Sequence, residues 1–310
     1  MNKNLAISIP TYNRHKILES NLVNIVNQAK EFDIPIYVSD DSQNVHTKEV
    51  INSFMQDYDL LFYKQNIPSL GHDKNIISCL SFHNTDYIWL IGDSISIADN
   101  AIKIILELII SESPKIISCN SRDRLVKINS NHIYDKDYVL EQFGWHNTLT
   151  GTTIYSKNAL NSLNDLDLLE CKNFPQISII FKALNEGCSF YWENKPLIYA
   201  HKDKKSYWAE NIFETFIDDF SRVIFYLPSE YSNHLKSKVI PIHSLKAKIF
   251  DLKSLLALRT ENIFDFNKFK KYYKTFKINS SSHLFLIFII SILPKSILKP
   301  IRSILRVIFS

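Results

Sequence analysis

Asp93 follows the apolar run Tyr-Ile-Trp-Leu-Ile-Gly at residues 87–92 and offers one carboxylate where that run ends. Such a run suits a strand buried on both faces. Open α/β sheets bind ligands beyond the carboxyl ends of their strands. A carboxylate there can hold a divalent cation on a diphosphate. Two residues on, where a second carboxylate would help, stands Ile95. Three other polar segments also follow apolar runs. Ser8-Ile9-Pro10-Thr11-Tyr12-Asn13-Arg14 supplies a hydroxyl, an aromatic face and a guanidinium. Ser39-Asp40-Asp41-Ser42 pairs two carboxylates that can accept from a base N–H or a ribose hydroxyl, although Asp-Asp-Ser alone also makes a common turn. The stretch from Asn66 to Gly71-His72-Asp73-Lys74-Asn75 brings Lys74, which can pair with phosphate.

The elements that must position these groups alternate over the first 120 residues. Strands are expected at 5–9, 36–39, 60–64, 87–91 and 116–120. Helices are expected at 16–30, 45–58, 73–82 and 98–111, with Asn21 the one polar member of the first apolar stripe. This alternation predicts an α/β fold with a largely parallel, doubly wound sheet. Beyond residue 120 the pattern loosens. A hairpin over 122–128 and 132–134, a strand at 151–155, a helix at 175–186 ended by Gly187, and short strands at 189–192 and 197–199 flanking a turn are expected. Helices follow at 212–226, 235–258 and 267–275.

Composition bounds the function. The chain has 310 residues, 45% hydrophobic and 13% aromatic, enough for a sizeable core. It has 5 Gly and lacks the Gly-rich phosphate-loop patterns. Four cysteines, none in a Cys-x-x-Cys pair, suggest a reduced cytoplasmic protein without zinc. The N-terminus does not resemble a signal peptide. Residues 1–234 carry 21 Lys and Arg against 29 Asp and Glu, whereas residues 235–310 carry 15 against 3. The basic part ends in an apolar run at 284–293, too short to span a bilayer. Lys295, Lys299, Arg302 and Arg306 are then interleaved with apolar residues to 309. That pattern suits a helix in a membrane interface, on the inner face of the plasma membrane. The alternative is a buried terminal helix or a dimer contact. A nucleic-acid partner fits such an apolar tail poorly.

Taken in order, the strand-end segments resemble the family 2 glycosyltransferases with the GT-A fold, over about residues 4–205. The wording at 87–93 is similar to the branch used in capsule, O-antigen and lipooligosaccharide assembly. The resemblance implies a GT-A catalytic domain at 1–205, a helical basic extension at 206–282 and a membrane-associating tail at 283–310. It implies inverting transfer of a sugar from a nucleotide-diphosphate donor, UDP-linked foremost, to a surface glycan or lipid-linked acceptor. Pro10, Thr11, Tyr12, Arg14, Asp40, Asp41, Lys74, Asn75, Asp93 and Ser94 then hold the nucleotide sugar, and Asp93 and Ile95 fall on the family's Asp-x-Asp motif. A divalent cation, Mn²⁺ or Mg²⁺, is left to Asp93, with His201 as a late ligand or an ordinary polar residue after a strand.

The family's Glu-Asp pair, which carries the base, falls on Pro175-Gln176. Gln cannot take a proton but can orient an acceptor hydroxyl. Asp165, Asp167, Glu170 and His146 are the nearby candidates for a base. Trp145 and His146 resemble the acceptor-side stretch, with Trp145 offering a stacking face. The alternative is that Trp145 is core and His146 a hydrogen-bonded loop residue. Ile95 and Gln176 also leave open a catalytically impaired nucleotide-sugar-binding partner in a membrane glycan-assembly complex. A nucleotidyltransferase would need a Gly-rich N-terminal loop that the chain lacks.

Overall fold

A computed structural model describes residues 2, 4–81, 84–129, 131–201, 208–298 and 300. Lys299 and residues 301–310 of the expected interfacial tail lie outside the described residues. Strands and helices alternate as β1 (Leu5–Thr11), α1 (His15–Glu31), β2 (Ile36–Asp40), α2 (His46–Met55), β3 (Leu61–Gln65), α3 (His72–Ser81), β4 (Tyr87–Leu90), β5 (Ile95–Ile97), α4 (Ala101–Glu112) and β6 (Ile116–Ser121). Then come β7 (His132–Ile133), α5 (Lys136–Phe143), β8 (Thr153–Ser156), α6 (Pro175–Asn185) and β9 (Phe190–Ala200). The C-terminal part is helical: a π-helical stretch at Glu214–Asp219, α7 (Phe220–Tyr226), α8 (Asn233–Lys246), α9 (Leu252–Thr260), α10 (Phe266–Asn279) and α11 (Leu284–Ile292).

The sheet order is β3-β2-β1-β4-β8-β6-β9-β5, with β7 added on β9. The first four strands in this order pair parallel, Thr11 lying beside Asp40 and Ser8 beside Leu90. Farther on the sheet is mixed: β8 runs antiparallel to β4 and β6, β9 runs parallel to β6, and β5 runs antiparallel to β9. All four residues of β4 are buried, as an apolar run with cover on both faces requires. Because β1, β2 and β4 are parallel neighbours, the polar residues after each strand emerge at one edge.

Three expected elements are corrected. Residues 122–128 form no hairpin arm. A single bridge joins Ser121 to Arg124, and β7 pairs with β9 instead. The two short strands at 189–199 are one strand, β9. The register against β6 shifts around Asn120, and this irregularity accommodates Lys195 and Pro196. The long helix at 235–258 is two helices. Lys248 adopts a left-handed φ of 51°, and Ile249 N–H donates to Ser244 O at 3.1 Å, closing α8 without a glycine.

Two cores flank the sheet. One holds α1 and α4 against β1, β2 and β4. The other packs α3, α5 and α6 against the opposite face and continues without a break through Phe213, Phe250, Phe264 and Phe276 of the C-terminal helices.

Candidate active site

The strand ends open onto a cavity of about 880 Å³. One wall is residues 10–17, with Asp41, Ser69, Gly71, His72, Asn75 and residues 92–95. The facing wall is Arg124, residues 148–150, Asn173, Phe174, Gln176, Trp208, Thr215 and Phe216.

Asp41 anchors the first wall. Its carboxylate accepts from Leu70 N–H at 2.7 Å, Gly71 N–H at 2.8 Å, Ser69 Oγ at 2.6 Å and Asn66 Nδ2 at 3.2 Å. Burial alone would raise its pKa, but these donors hold it below the ordinary carboxylate value. Gly71 has a φ of 80°, which turns the chain into α3 and aims its N–H at Asp41. Asn75, on the first turn but one of α3, donates to Ser39 O at 3.2 Å and Thr11 O at 3.4 Å, tying α3 to the ends of β1 and β2. Asp40 is fully buried beneath the wall. It accepts from Tyr63 Oη at 2.8 Å and Ser42 N–H at 2.9 Å, and it does not line the cavity.

Asp93 sits at the centre, 7% exposed. Thr11 Oγ1 donates to it at 3.0 Å and Arg14 Nη1 at 3.1 Å, while Asn21 Nδ2 holds its backbone carbonyl at 2.7 Å. Asn21, the polar member of the apolar stripe of α1, therefore fixes the turn after β4. Burial raises the Asp93 pKa against the opposing pull of Arg14 and Thr11. Pro10, Tyr12 and Ser94 also line the cavity, Tyr12 as an exposed ring at the rim.

Other assigned residues lie outside the cavity lining. Lys74 is exposed and is not among the lining residues, whereas its neighbour Asn75 is. Trp145 is core: its ring is buried and its Nε1 donates to Gln142 O at 3.0 Å, so it offers no stacking face. His146 is fully buried, Nε2 lies 2.9 Å from Cys119 O, and the ring meets Trp192 edge-on. Burial pushes its pKa down to about 4, so it is neutral at pH 7, and it does not line the cavity. Asp165, Asp167 and Glu170 do not line the cavity either. His201 N–H donates to Ser94 O at 2.9 Å, and its ring lies 3.3 Å from Ser20 Oγ.

Gln176 does line the cavity. It is buried, donates from Nε2 to Thr148 O at 3.1 Å, and its Oε1 has no hydrogen-bond partner among the described residues. Gly151, at a φ of 117°, sets the preceding strip, and a Cβ there would lie 3.1 Å from Ile95 Cγ2. The sequence reading missed Arg124, Thr148 and the contribution of Trp208, Thr215 and Phe216. Arg124 follows the end of β6 in Ser-Arg-Asp-Arg, so the strand-end rule that found Asp93 also points to it.

The residues present do not assemble a cation cage. No group of three His, Cys, Asp or Glu side chains is suitably placed among the described residues. Ile95 is buried in β5, and Asp93 is engaged by Arg14. A divalent ion would have to draw Asp93 away from that guanidinium. Among the described residues, no helix is long and apolar enough to cross a membrane.

Known proteins share this architecture. Abequosyltransferase RfbV of Salmonella typhimurium is 25% identical over 258 residues, which cover 76% of this chain and 77% of the relative. The crystal structure of S. aureus TarS in complex with UDP-GlcNAc superposes with a TM-score of 0.58 at 15% identity, covering 80% of this chain and 73% of that one. Mannosyltransferase PcManGT from Pyrobaculum calidifontis, in complex with GDP-Man and Mn²⁺, gives a TM-score of 0.59 at 13% identity over 100% of this chain and 88% of that one. These likenesses show the fold as that of GT-A glycosyltransferases. The sequence profile of glycosyl transferase family 2 matches residues 6–163. Parallel strand ends feeding one cavity, and a profile that spans those same strands, place the chain in glycosyl transferase family 2, as an enzyme of sugar transfer.

Proposed function

We propose that the protein moves a sugar from a nucleoside-diphosphate donor, UDP-linked foremost, to a growing surface glycan or lipid-linked saccharide, with inversion at the anomeric carbon. The observation that carries this reading is the cluster of Asp41, Asn75, Thr11 and Asp93 at the ends of β1, β2 and β4, open to a cavity large enough for a nucleotide sugar. The solved relatives hold UDP-GlcNAc and GDP-Man, and the relative from Salmonella is an abequosyltransferase.

In this reading the nucleoside lies along residues 10–14 and Asp41, with the diphosphate toward Asp93 and Arg14. The acceptor enters against Thr148, Asn173 and Gln176, and the Gln176 amide orients its hydroxyl. That oxygen bonds to the anomeric carbon as the carbon–phosphate oxygen bond breaks. The electron pair stays on the diphosphate, and the hydroxyl proton passes to the departing diphosphate or to solvent. A cation, when bound, would add positive charge at the leaving diphosphate.

Residues after 283 carry the peripheral membrane reading. Phe285, Leu286 and Ile292 of α11 are exposed, and the adjoining α10 exposes Lys270, Lys274 and Lys277. An apolar and basic surface of this kind fits an anionic lipid leaflet, where a lipid-linked acceptor would also lie.

The test is a thermal-shift panel of UDP- and GDP-sugars on the full chain, with and without Mn²⁺, followed by turnover assays. A donor should raise Tm by mass action, and Asp93→Ala should abolish transfer. If no nucleotide sugar binds or is turned over, the proposal fails. Ile95 and Gln176 favour a second reading, a donor-binding partner without turnover. Donor binding with no hydrolysis or transfer to lipid-linked acceptors would select it.

A further inference from the structure

Among the described residues that line the cavity, Arg14, Lys16 and Arg124 are its lysine and arginine side chains. They are not equivalent. Arg14 is paired with Asp93 at 3.1 Å, and Lys16 is exposed at the rim. Arg124 is set into the facing wall, where Nη1 donates to Thr148 Oγ1 at 2.8 Å and to Trp145 O at 3.1 Å. Both acceptors are neutral. The adjacent carboxylate, Asp123, accepts from Ala200 N–H at 2.5 Å; its charge acts on Arg124 without an ion-pair contact. No ion pair engages Arg124 among the described residues.

Neighbouring groups feel the positive charge of Arg124. Arg124 helps to depress the pKa values of both His146 and His243, after burial as the larger cause. Lys246 adds another positive charge, 5.3 Å from the Trp145 ring. Burial lowers the Arg124 pKa to about 10, which still leaves it charged at neutral pH. A half-buried guanidinium held by neutral acceptors keeps N–H donors for an incoming anion, and its planar fork matches the oxygens of phosphate and carboxylate.

We infer that Arg124 receives an anionic oxygen group of a substrate, a phosphate or a carboxylate, in the half of the cavity lined by Thr148, Asn173 and Gln176. The inference deepens the sugar-transfer reading and rests on it for the identity of the ligand as a substrate. Two sources supply this chemistry. One is the departing diphosphate of the donor. The other is an anionic group carried by the acceptor.

The experiment uses the full chain with inorganic pyrophosphate in EDTA. Phenylglyoxal modification of Arg124 is followed by mass spectrometry, and pyrophosphate should protect it. Arg124→Gln, which can still donate to Thr148, should weaken pyrophosphate binding by tenfold or more, and Arg124→Lys should fall between. If UDP or GDP protects Arg124 equally and loses affinity in Arg124→Gln, the anion is the donor's. If pyrophosphate still protects Arg124 beside saturating nucleotide, the anion arrives with the acceptor. No protection by pyrophosphate, UDP or GDP overturns the inference, even if Arg124→Gln does not fold, because that measurement needs only the unaltered chain. Protection without binding of any nucleotide sugar would sink the donor reading and leave Arg124 standing.

Discussion

At the scale of single residues, Asp41 shows how a site can be built before any ligand arrives. Four donors converge on its carboxylate, and the loop at 69–71 depends on them. Asp41→Asn replaces one accepting oxygen with an NH₂ that faces donors. The loss should be about 2 kcal/mol of stability, read as a lower urea midpoint, with weaker nucleotide binding. An unchanged midpoint would show that the loop holds itself. Asp41 was legible in the sequence because paired acidic residues after an apolar run mark a strand end. The roles of Lys74 and Asn75 were not, because one step along a helix turns a side chain through about 100°. Trp145 and His146 stayed open between two readings for a related reason: aromatic and imidazole groups serve a core as readily as a sugar site, and only burial separates the two.

At the scale of elements, strands β1 to β4 were legible because each is a short apolar run between polar segments. The long β9 was hidden by Lys195 and Pro196, and the break between α8 and α9 by a left-handed Lys248 where glycine is the usual signal. Helix α8 also reaches into the site. His243 is fully buried, stacks on Phe216 at 4.7 Å and lies 3.0 Å from Thr148 Oγ1. His146 and His243 both have pKa values depressed by burial, to about 4 for His146. The folded protein excludes protons that the unfolded chain accepts. Above the ordinary histidine pKa neither group contributes. Below it, stability falls progressively toward about pH 4, by about 2 kcal/mol at pH 5 for His146 alone. Urea titrations at pH 7 and pH 5 should show this loss, and His146→Phe should lessen it. An equal loss in the variant would refute the assignment.

At the scale of the whole molecule, the C-terminal helices are both wall and surface. Ile287 and Ile290 are buried in the larger core while Phe285, Leu286 and Ile292 of the same helix are exposed. Deleting residues 283–310 would therefore disturb packing as well as any lipid contact. Phe285→Ser with Leu286→Ser leaves the buried face intact. It should weaken binding to anionic vesicles in co-flotation by about thirtyfold or more, since each apolar side chain withdrawn from the interface loses on the order of 1–2 kcal/mol. Unchanged co-flotation would remove the membrane reading. The sequence announced a basic, apolar C-terminus. It could not show that Trp208, Thr215 and Phe216 close the cavity, because that depends on how distant segments meet. The two walls come from separate lengths of chain: residues 10–95 form one, and residues 124–216 form the other. Mutation and recombination can thus alter one wall while leaving the other untouched. If the donor sugar lies along the first wall and the acceptor along the second, as proposed, a lineage built on this plan can change the sugar it adds without relearning what it adds it to.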